Sequence, residues 1–273
     1  MYWFYAGCFL LTFNFCKSEL TFRYLTLYNE EGELMNKNDI HKGSVNVSQP
    51  IIFVINGLDQ SETVWVTSLI QEYLEKRIPN VFLLNLYNET DDQTKEIISS
   101  KIEDFINVIY NKTGEKYLHW RLIGIAATGY NIALDVGARI SNNTTRKIDR
   151  ITGLDPTYPS TETDNQIIFF DDFANMVDAV HSNIRKFEGP LGQYGHVDFY
   201  IDDLSCKNSE DPNCGFRNAV KMFKRSVNSE KLTAVKCPSL EDFELNRCAS
   251  NNRVLFGENM PNNADGIYIM KFE

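Results

Sequence analysis

The sequence has little positive charge and few histidines, and each shortage excludes a class of function. Lys and Arg together number 27 against 37 Asp and Glu, which gives a formal net charge of −10 at pH 7. Because phosphate groups would be repelled, this balance argues against nucleic acid as a partner and against electrostatic docking on anionic lipid. There are 4 histidines, and the acidic runs DDQ, DDF and IDDL have no histidine partners at ligand spacing, so we expect no metal and no other cofactor.

Long apolar runs are missing beyond the N-terminus, where none approaches the about 20 residues of a membrane-spanning helix. The first residues, MYWFYAGCFLLTFNFCKS, are apolar, contain no acidic residue and precede polar, acidic sequence. We predict that residues 1–18 are a secretory signal peptide cut near Ser18, with only the α-amino group as positive charge before the apolar part. An N-terminal anchor helix is the alternative. Residues 19–273 would then be one extracellular domain.

Cysteine is also scarce, and its distribution fits export. Cys8 and Cys16 lie in the predicted signal peptide, and four cysteines follow: Cys206, Cys214, Cys237 and Cys248. An even number in a secreted chain predicts two disulfides, for which three pairings exist. Pairing in sequence order would close two short loops. A zinc site is less favoured, because there is no C-x-x-C spacing and no histidine nearby.

Asparagine occurs in several N-x-S/T acceptor patterns. A secreted chain would expose them to the glycosylation machinery, so each is a candidate acceptor of N-linked glycan. The candidates are Asn46, Asn88, Asn111, Asn142 and Asn143.

Short β-type runs alternate with patterns of helical period along the chain. Such alternation implies βαβ crossovers and an α/β domain with a mostly parallel central sheet flanked by helices. The predicted strands are residues 21–28, 51–56, 81–87, 120–126, 149–155, 175–182, 196–202 and 266–272. The predicted helices are residues 61–77, 94–114, 129–140 and 218–227. Reactive groups in such sheets lie at the carboxyl ends of the strands.

The stretch LIGIAATGY (122–130) has the form of a sharp strand-to-helix turn but lacks a reactive residue. A turn that presents a nucleophile reads G-x-S-x-G, with serine at its tip. If the motif is aligned forward from Gly124, its serine position falls on Ala126. If the alignment runs backward from Gly137, the serine position falls on Ala127. Both alignments put alanine where the hydroxyl would be.

Three further motifs resemble the pancreatic-lipase superfamily, which includes animal lipases, insect phospholipases A1 and yolk proteins. They are FVINGL (53–58), RITGLDPTYP (150–159) and GHVDFY (195–200), the last followed by a cysteine pair, an amphipathic helix and C-x10-C. They occur in the family's order over nearly the whole mature chain. The resemblance implies a single α/β-hydrolase domain without the family's C-terminal β-sandwich.

The resemblance also implies where a catalytic triad would lie. Asp155 falls on the family's acid, whereas the nucleophile position is Ala126 and the histidine position, in CGF, is Phe216. The oxyanion hole would use the backbone N–H groups of Leu58 and Ala127. Without hydroxyl and imidazole, the triad is predicted to be inactive.

The remaining polar residues offer no clear substitute. Because His196 and Asp198 lie two apart on a predicted strand, a pair between them is conceivable, but a structural role is favoured for both and for His181. His41 and His119 are expected to be solvated. The acidic runs DDQ, DDF and IDDL are likewise expected to be solvated faces.

These observations predict a secreted lipase-like pseudoenzyme that binds or carries a lipid or another apolar molecule. The segment KNSEDPN between Cys206 and Cys214 is too short and polar to grip an oil surface, a feature similar to the phospholipase A1 and yolk-protein branch. The alternatives are a weak carboxylic-ester hydrolase and a yolk-like storage protein. No protein partner is specified by the sequence.

Overall fold

The computed structural model describes most of the chain between Phe22 and Phe272. The described residues are 22–26, 29–35, 46, 48–58, 62–86, 92–114, 119–156, 172–182, 184, 191–206, 209, 211 and 213–272. The predicted signal peptide, His41 and Asn88 lie outside them.

The described strands form one sheet with the order β10-β9-β11-β8-β7-β6-β5-β3-β4-β1-β2. The strands are β1 Phe22–Thr26, β2 Asn29–Met35, β3 Ile51–Asn56, β4 Asn80–Asn85, β5 Trp120–Ile125, β6 Arg150–Leu154, β7 Val177–His181, β8 Val197–Asp202, β9 Thr233–Lys236, β10 Arg253–Leu255 and β11 Gly266–Lys271.

The centre of this sheet is parallel and its two margins are antiparallel. Strands β3 to β8 and β11 pair in parallel, whereas β1, β2, β9 and β10 pair with their neighbours in antiparallel fashion. Strands β3, β6, β7 and β8 are buried along their whole length. Such strands are covered on both faces and therefore read as nearly continuous apolar runs, which is why the sequence revealed them.

Helices cover both faces of the sheet. They are α1 Thr63–Glu75, α2 Asp92–Thr113, α3 Ala126–Asn143, α4 Cys214–Val227 and α5 Leu240–Glu244. Helices α2 and α3 pack on one face, in a core that includes Phe53, Phe82 and Phe105. Helices α1 and α4 pack on the other face, where Phe216 and Phe223 are buried. This arrangement confirms the predicted α/β-hydrolase architecture.

The sequence patterns missed four elements, β2, β9, β10 and α5. Strands β9 and β10 have only 4 and 3 residues and lie at a margin of the sheet, so they lack the long buried run that marks the central strands. Helix α3 begins at Ala126, three residues before the predicted start, because the chain enters the helix directly from β5.

Two disulfides join the cysteines in sequence order. Cys206 bonds to Cys214 and Cys237 bonds to Cys248, with S–S distances of 1.98 and 1.96 Å. The prediction of two bridges is confirmed, and the structure selects one of the three possible pairings. Within the described ranges, no helix is long and apolar enough to cross a bilayer, and no His, Cys and carboxylate cluster has the make-up of a metal site.

Candidate functional site

Ala126 occupies the turn between β5 and α3 at the carboxyl edge of the sheet. Its φ is +56°, in the left-handed region, whereas the preceding Ile125 is extended with φ −107° and ψ 131°. A side chain other than glycine rarely adopts this conformation, because its Cβ approaches the following carbonyl oxygen. The single strained residue marks the tip of the turn, so the geometry favours Ala126 over Ala127 as the nucleophile position.

Close backbone packing holds this turn in place. A Cβ on Gly124 would lie 2.4 Å from Cα of Tyr130, and a Cβ on Gly129 would lie 2.3 Å from the carbonyl oxygen of Ile55. Both contacts are impossible for any other residue without movement of the backbone. The glycines therefore let the first turn of α3 lie directly against β3 and β5, which forces the sharp bend at Ala126.

Asp155 follows β6 at the same edge and is also left-handed, with φ +52°. Aspartate tolerates this region better than most residues. Its Oδ1 accepts hydrogen bonds from the backbone N–H of Ser182 at 3.0 Å and from Ser182 Oγ at 2.5 Å. The carboxylate of the predicted acid is therefore oriented toward the end of β7, by a serine that the sequence reading did not single out.

Phe216 lies in the first turn of α4, two residues after Cys214 of the first disulfide. Its side chain is 4% exposed and belongs to the apolar core on the α1 and α4 face, against which Leu58 also packs. The ring thus fills space in the core, and it supplies no group that could accept a proton.

The predicted oxyanion hole contains an unexpected contact. The N–H of Leu58 donates to Oδ1 of Asn56 at 3.2 Å, and Asn56 Nδ2 donates to Oδ1 of Asn85 at 2.9 Å. One of the two predicted donors therefore already has an acceptor. Ala127 is the second residue of α3, where backbone N–H groups have no acceptor within the helix.

The histidine expected as a conceivable partner of Asp198 is not the one that the structure pairs with it. His181 Nε2 lies 2.7 Å from Asp198 Oδ1, and both side chains are almost completely buried. His196 instead uses Nδ1 to accept the N–H of Val177 at 2.9 Å. Strands β7 and β8 are neighbours, so the pair forms across strands and not along one strand, a choice that sequence spacing could not reveal.

Asp198 belongs to a buried polar cluster and not to a reactive cleft. Its carboxylate also accepts the backbone N–H groups of Tyr194 at 3.0 Å and Gly195 at 3.2 Å, and the His181 ring stacks on Tyr200 with centroids 4.3 Å apart. Burial raises the pKa of the Asp198 carboxyl, while the hydrogen bond from His181 and those from the backbone oppose the shift. His119 is exposed, as predicted.

The expectation that IDDL is a solvated face is wrong. Asp202 is 6% exposed and Asp203 is 1% exposed. Asp203 accepts hydrogen bonds from the N–H and Oγ of Ser205, at 2.8 and 2.6 Å, and from the side-chain amide of Asn218. A buried carboxylate needs such partners, and here they attach the residues just after β8 to α4.

An ion-pair cluster fixes the start of α4 beside α1. Arg217 donates to both carboxylate oxygens of the buried Glu62, at 2.6 and 2.9 Å, and to Asp211 at 2.5 Å. The hydrogen bond to Glu62 is the main cause that raises the pKa of Arg217. Since Arg217 follows Phe216, this cluster helps to hold the first turn of α4 in place. Glu62 and Arg217 are 155 residues apart in sequence, so no local pattern signals this pair.

Two clefts among the described residues lie away from these positions. One of about 530 Å³ is bordered by residues such as Leu204, Phe243 and Phe272. Another of about 380 Å³ lies between α2 and α3 and includes Lys95 and Arg139. Neither is lined by Ala126, Asp155 or Phe216.

The sharp turn after β5, the acid after β6 and the mostly parallel sheet together define a protein of the α/β-hydrolase fold. A family model described as "Lipase" matches residues 17–265, and the chain belongs to this family. The family assignment predicted from the motifs is confirmed.

Curated relatives agree with the family assignment. Lipase member H of Rattus norvegicus is 26% identical over 251 residues, which cover 83% of this chain and 53% of that protein. Pancreatic triacylglycerol lipase of Equus caballus is 22% identical over 266 residues, with 83% and 56% covered. Pancreatic lipase-related protein 2 of Cavia porcellus is 22% identical over 250 residues, again with 83% and 56%. The chain spans about half the length of these relatives.

Proposed function

We propose that this chain is an exported member of the Lipase family that has lost hydrolysis and binds a lipid or another apolar molecule. One observation carries the proposal: Ala126 has the left-handed backbone of a nucleophile turn, with φ +56°, but its side chain is a methyl group. Ester hydrolysis on this fold needs a hydroxyl to attack, an imidazole to take its proton and an acid to orient the imidazole. Of these, only the acid has a counterpart, Asp155.

The expected loss of turnover is large enough to support the proposed loss of hydrolysis. In a serine hydrolase, removal of the nucleophile or of the histidine alone lowers turnover by about 10⁶. The acceleration that remains, about 10³–10⁴ over water, depends on binding and on the oxyanion hole. Here the N–H of Leu58 already donates to Asn56, so an oxyanion would have to compete for it.

Binding of an apolar ligand is supported by what replaces the reactive groups. Ala126 and Leu58 are half-buried apolar residues, and Leu58 packs against the core that Phe216 fills. Binding sites for small apolar molecules are lined mainly by such side chains. The names of the relatives describe lipases, including a triacylglycerol lipase, so a lipid is the ligand that the family favours.

Restoration of the missing groups tests the first part of the proposal. We expect wild-type protein to hydrolyse p-nitrophenyl butyrate no faster than buffer, and we expect the double variant Ala126→Ser with Phe216→His to gain measurable turnover. Each single variant should remain inactive, because hydroxyl and imidazole act as one unit. The matched control is Ala127→Ser with Phe216→His, which carries the hydroxyl one residue beyond the tip.

Wild-type turnover well above buffer would refute the loss of hydrolysis. Activity in the Ala127→Ser double variant alone would refute the assignment of Ala126. Native mass spectrometry of protein purified from culture medium tests the ligand, and we expect a bound lipid that organic extraction releases. An apoprotein that also takes up no fatty acid from solution would refute the binding part.

A further inference from the structure

We propose that the exported chain carries N-linked glycans at Asn46, Asn111 and Asn142, while Asn143 stays unmodified. The inference goes beyond the proposed function and rests only on its export. The acceptor pattern N-x-S/T is met at all four residues, so the sequence does not separate them. Their positions and contacts in the fold do.

The two proposed glycan sites on helices, Asn111 and Asn142, come together at the edge of the sheet where the strands begin. Helices α2 and α3 follow the parallel strands β4 and β5, so each returns to that edge. Asn111 and Asn142 lie in the last turns of these helices. Arg146 joins the helix ends, with its guanidinium carbon 3.9 Å from the centre of the Tyr110 ring. Ala126 starts α3 and therefore lies at the opposite edge.

Asn46 lies at the same edge, just before β3. Its backbone N–H donates to Oδ1 of Asn80, the first residue of β4, at 2.8 Å. Its side-chain Oδ1 accepts the N–H and Oγ of Ser48, at 3.2 and 2.7 Å, so the oxygen of the amide is engaged and not the nitrogen. The residue is exposed, and this Nδ2 makes no hydrogen bond to the part of the chain that the structure describes.

A contact with α2 distinguishes the adjacent residues Asn142 and Asn143. Asn143 Nδ2, the atom that would carry the sugar, donates to Oε1 of Glu103 at 2.8 Å, and Glu103 is only 9% exposed. A sugar on this nitrogen would crowd the surface of α2. Both residues are exposed, but Asn142, like Asn111, makes no side-chain hydrogen bond to a described residue, so the contact with Glu103 is what distinguishes Asn143. Asn142 can therefore carry a glycan without loss of a contact.

The consequence is carbohydrate at the edge of the sheet where the strands begin. Glycans are bulky and hydrophilic, so they would keep lipid surfaces and partner proteins away from that edge. None of the four acceptors that the structure describes lies at the edge with Ala126 and Asp155.

Site-resolved mass spectrometry tests the inference. The full chain is expressed in cultured animal cells, recovered from the medium and treated with peptide N-glycosidase in heavy-oxygen water, which marks each formerly glycosylated asparagine as labelled aspartate. We expect label at Asn46, Asn111 and Asn142 and none at Asn143. We expect the apparent mass on a gel to fall by one glycan in each of the variants Asn46→Gln, Asn111→Gln and Asn142→Gln. The matched control Asn143→Gln should leave the apparent mass unchanged.

The outcomes separate this inference from the proposed function. Label at Asn143, or a secreted chain in which Asn46, Asn111 or Asn142 is bare, would overturn the glycan assignment and leave the loss of hydrolysis standing. Ester turnover by the wild-type protein would refute the proposed function and leave the glycan pattern standing. A chain that never enters the secretory pathway would refute both the export and the glycans.

Discussion

The two edges of the sheet differ in how their polar residues are partnered. At the edge where the strands begin, Arg150 donates to both carboxylate oxygens of the fully buried Asp178, at 2.7 and 2.8 Å, and Thr152 donates to the same carboxylate at 2.8 Å. At the edge where the strands end, Asp155 accepts hydrogen bonds from Ser182, and under the proposed assignment Ala126 and Phe216 take the places of the nucleophile and the histidine.

At the edge where the strands begin, further hydrogen bonds and ion pairs extend this network, and its charged groups have partners of opposite charge. Glu258 accepts a hydrogen bond from Tyr73 at 2.8 Å and pairs with Arg121, while Arg150 donates to the carbonyl of Gly257 at 2.8 Å. Burial, followed by the Glu258 carboxylate, raises the pKa of Tyr73. Burial is the largest single influence and lowers the pKa of the Arg150 guanidinium, but Asp178 and Glu258 together contribute to a net rise.

The comparison shows which polar groups a fold can lose. A buried charge that loses its partner has neither water nor an opposite charge, so members of such a network are difficult to replace one at a time. A catalytic hydroxyl or imidazole contributes to a reaction and much less to folding. Function resides in the site and not in the fold, so a family member can replace its reactive groups and still fold.

The largest expected effect is the loss of Arg150. We expect Arg150→Met to lower the free energy of unfolding by about 3–5 kcal/mol, because Asp178 would be left buried and unpaired. Urea unfolding followed by circular dichroism measures the change. Arg139→Met is the control, since Arg139 pairs with Asp135 on the surface of α3, at 2.9 Å, and such pairs contribute less than about 1 kcal/mol. Equal losses in both variants would contradict a special role for the buried network.

A smaller effect of opposite sign is expected at the turn after β5. Ala126→Gly should raise the free energy of unfolding by about 0.5–1 kcal/mol, because it relieves a left-handed backbone that costs an L-residue about 1–2 kcal/mol. Ala127→Gly should lower it by about 0.5–1 kcal/mol, since glycine is unfavourable inside a helix. Thermal and urea unfolding of both variants directly compare Ala126 and Ala127 as the residue at the tip of the turn. A gain at residue 127 and a loss at 126 would move the tip of the turn by one residue.

The smallest effect concerns the pH dependence due to Asp198. Burial raises the pKa of its carboxyl in the folded protein above the ordinary 3.8. A group of this kind contributes stability below its unfolded pKa, and the contribution is lost as pH rises through the folded pKa. We therefore expect the stability of wild type relative to Asp198→Asn to fall as pH rises from about 4. Urea unfolding from about pH 3 to pH 7 measures the difference, and a rise with pH would contradict the shift.

The sequence predicted the fold well because the central strands and the long helices carry their own signals. Strand β3 matches the predicted residues 51–56, and helix α2 matches the prediction to within two residues. The site was predicted less completely. The partner of Asp155 and the pairing of His181 depend on residues from neighbouring strands, which spacing along one strand does not identify. The acceptor for Leu58 is close in sequence, but the Asn56 side chain that accepts is itself bonded to Asn85 of β4.

By itself, the sequence determined the family and the parallel sheet, because periodicity and residue identity are properties of the chain. The proposed replacement of a hydroxyl and an imidazole by apolar side chains also rests on residue identity. Only the tertiary structure decided that Ala126 has the strained backbone of the turn, that Ser182 binds Asp155 and that the cysteines pair in sequence order. These choices depend on distances between segments far apart in the chain, and packing of the sheet and its helices fixes those distances.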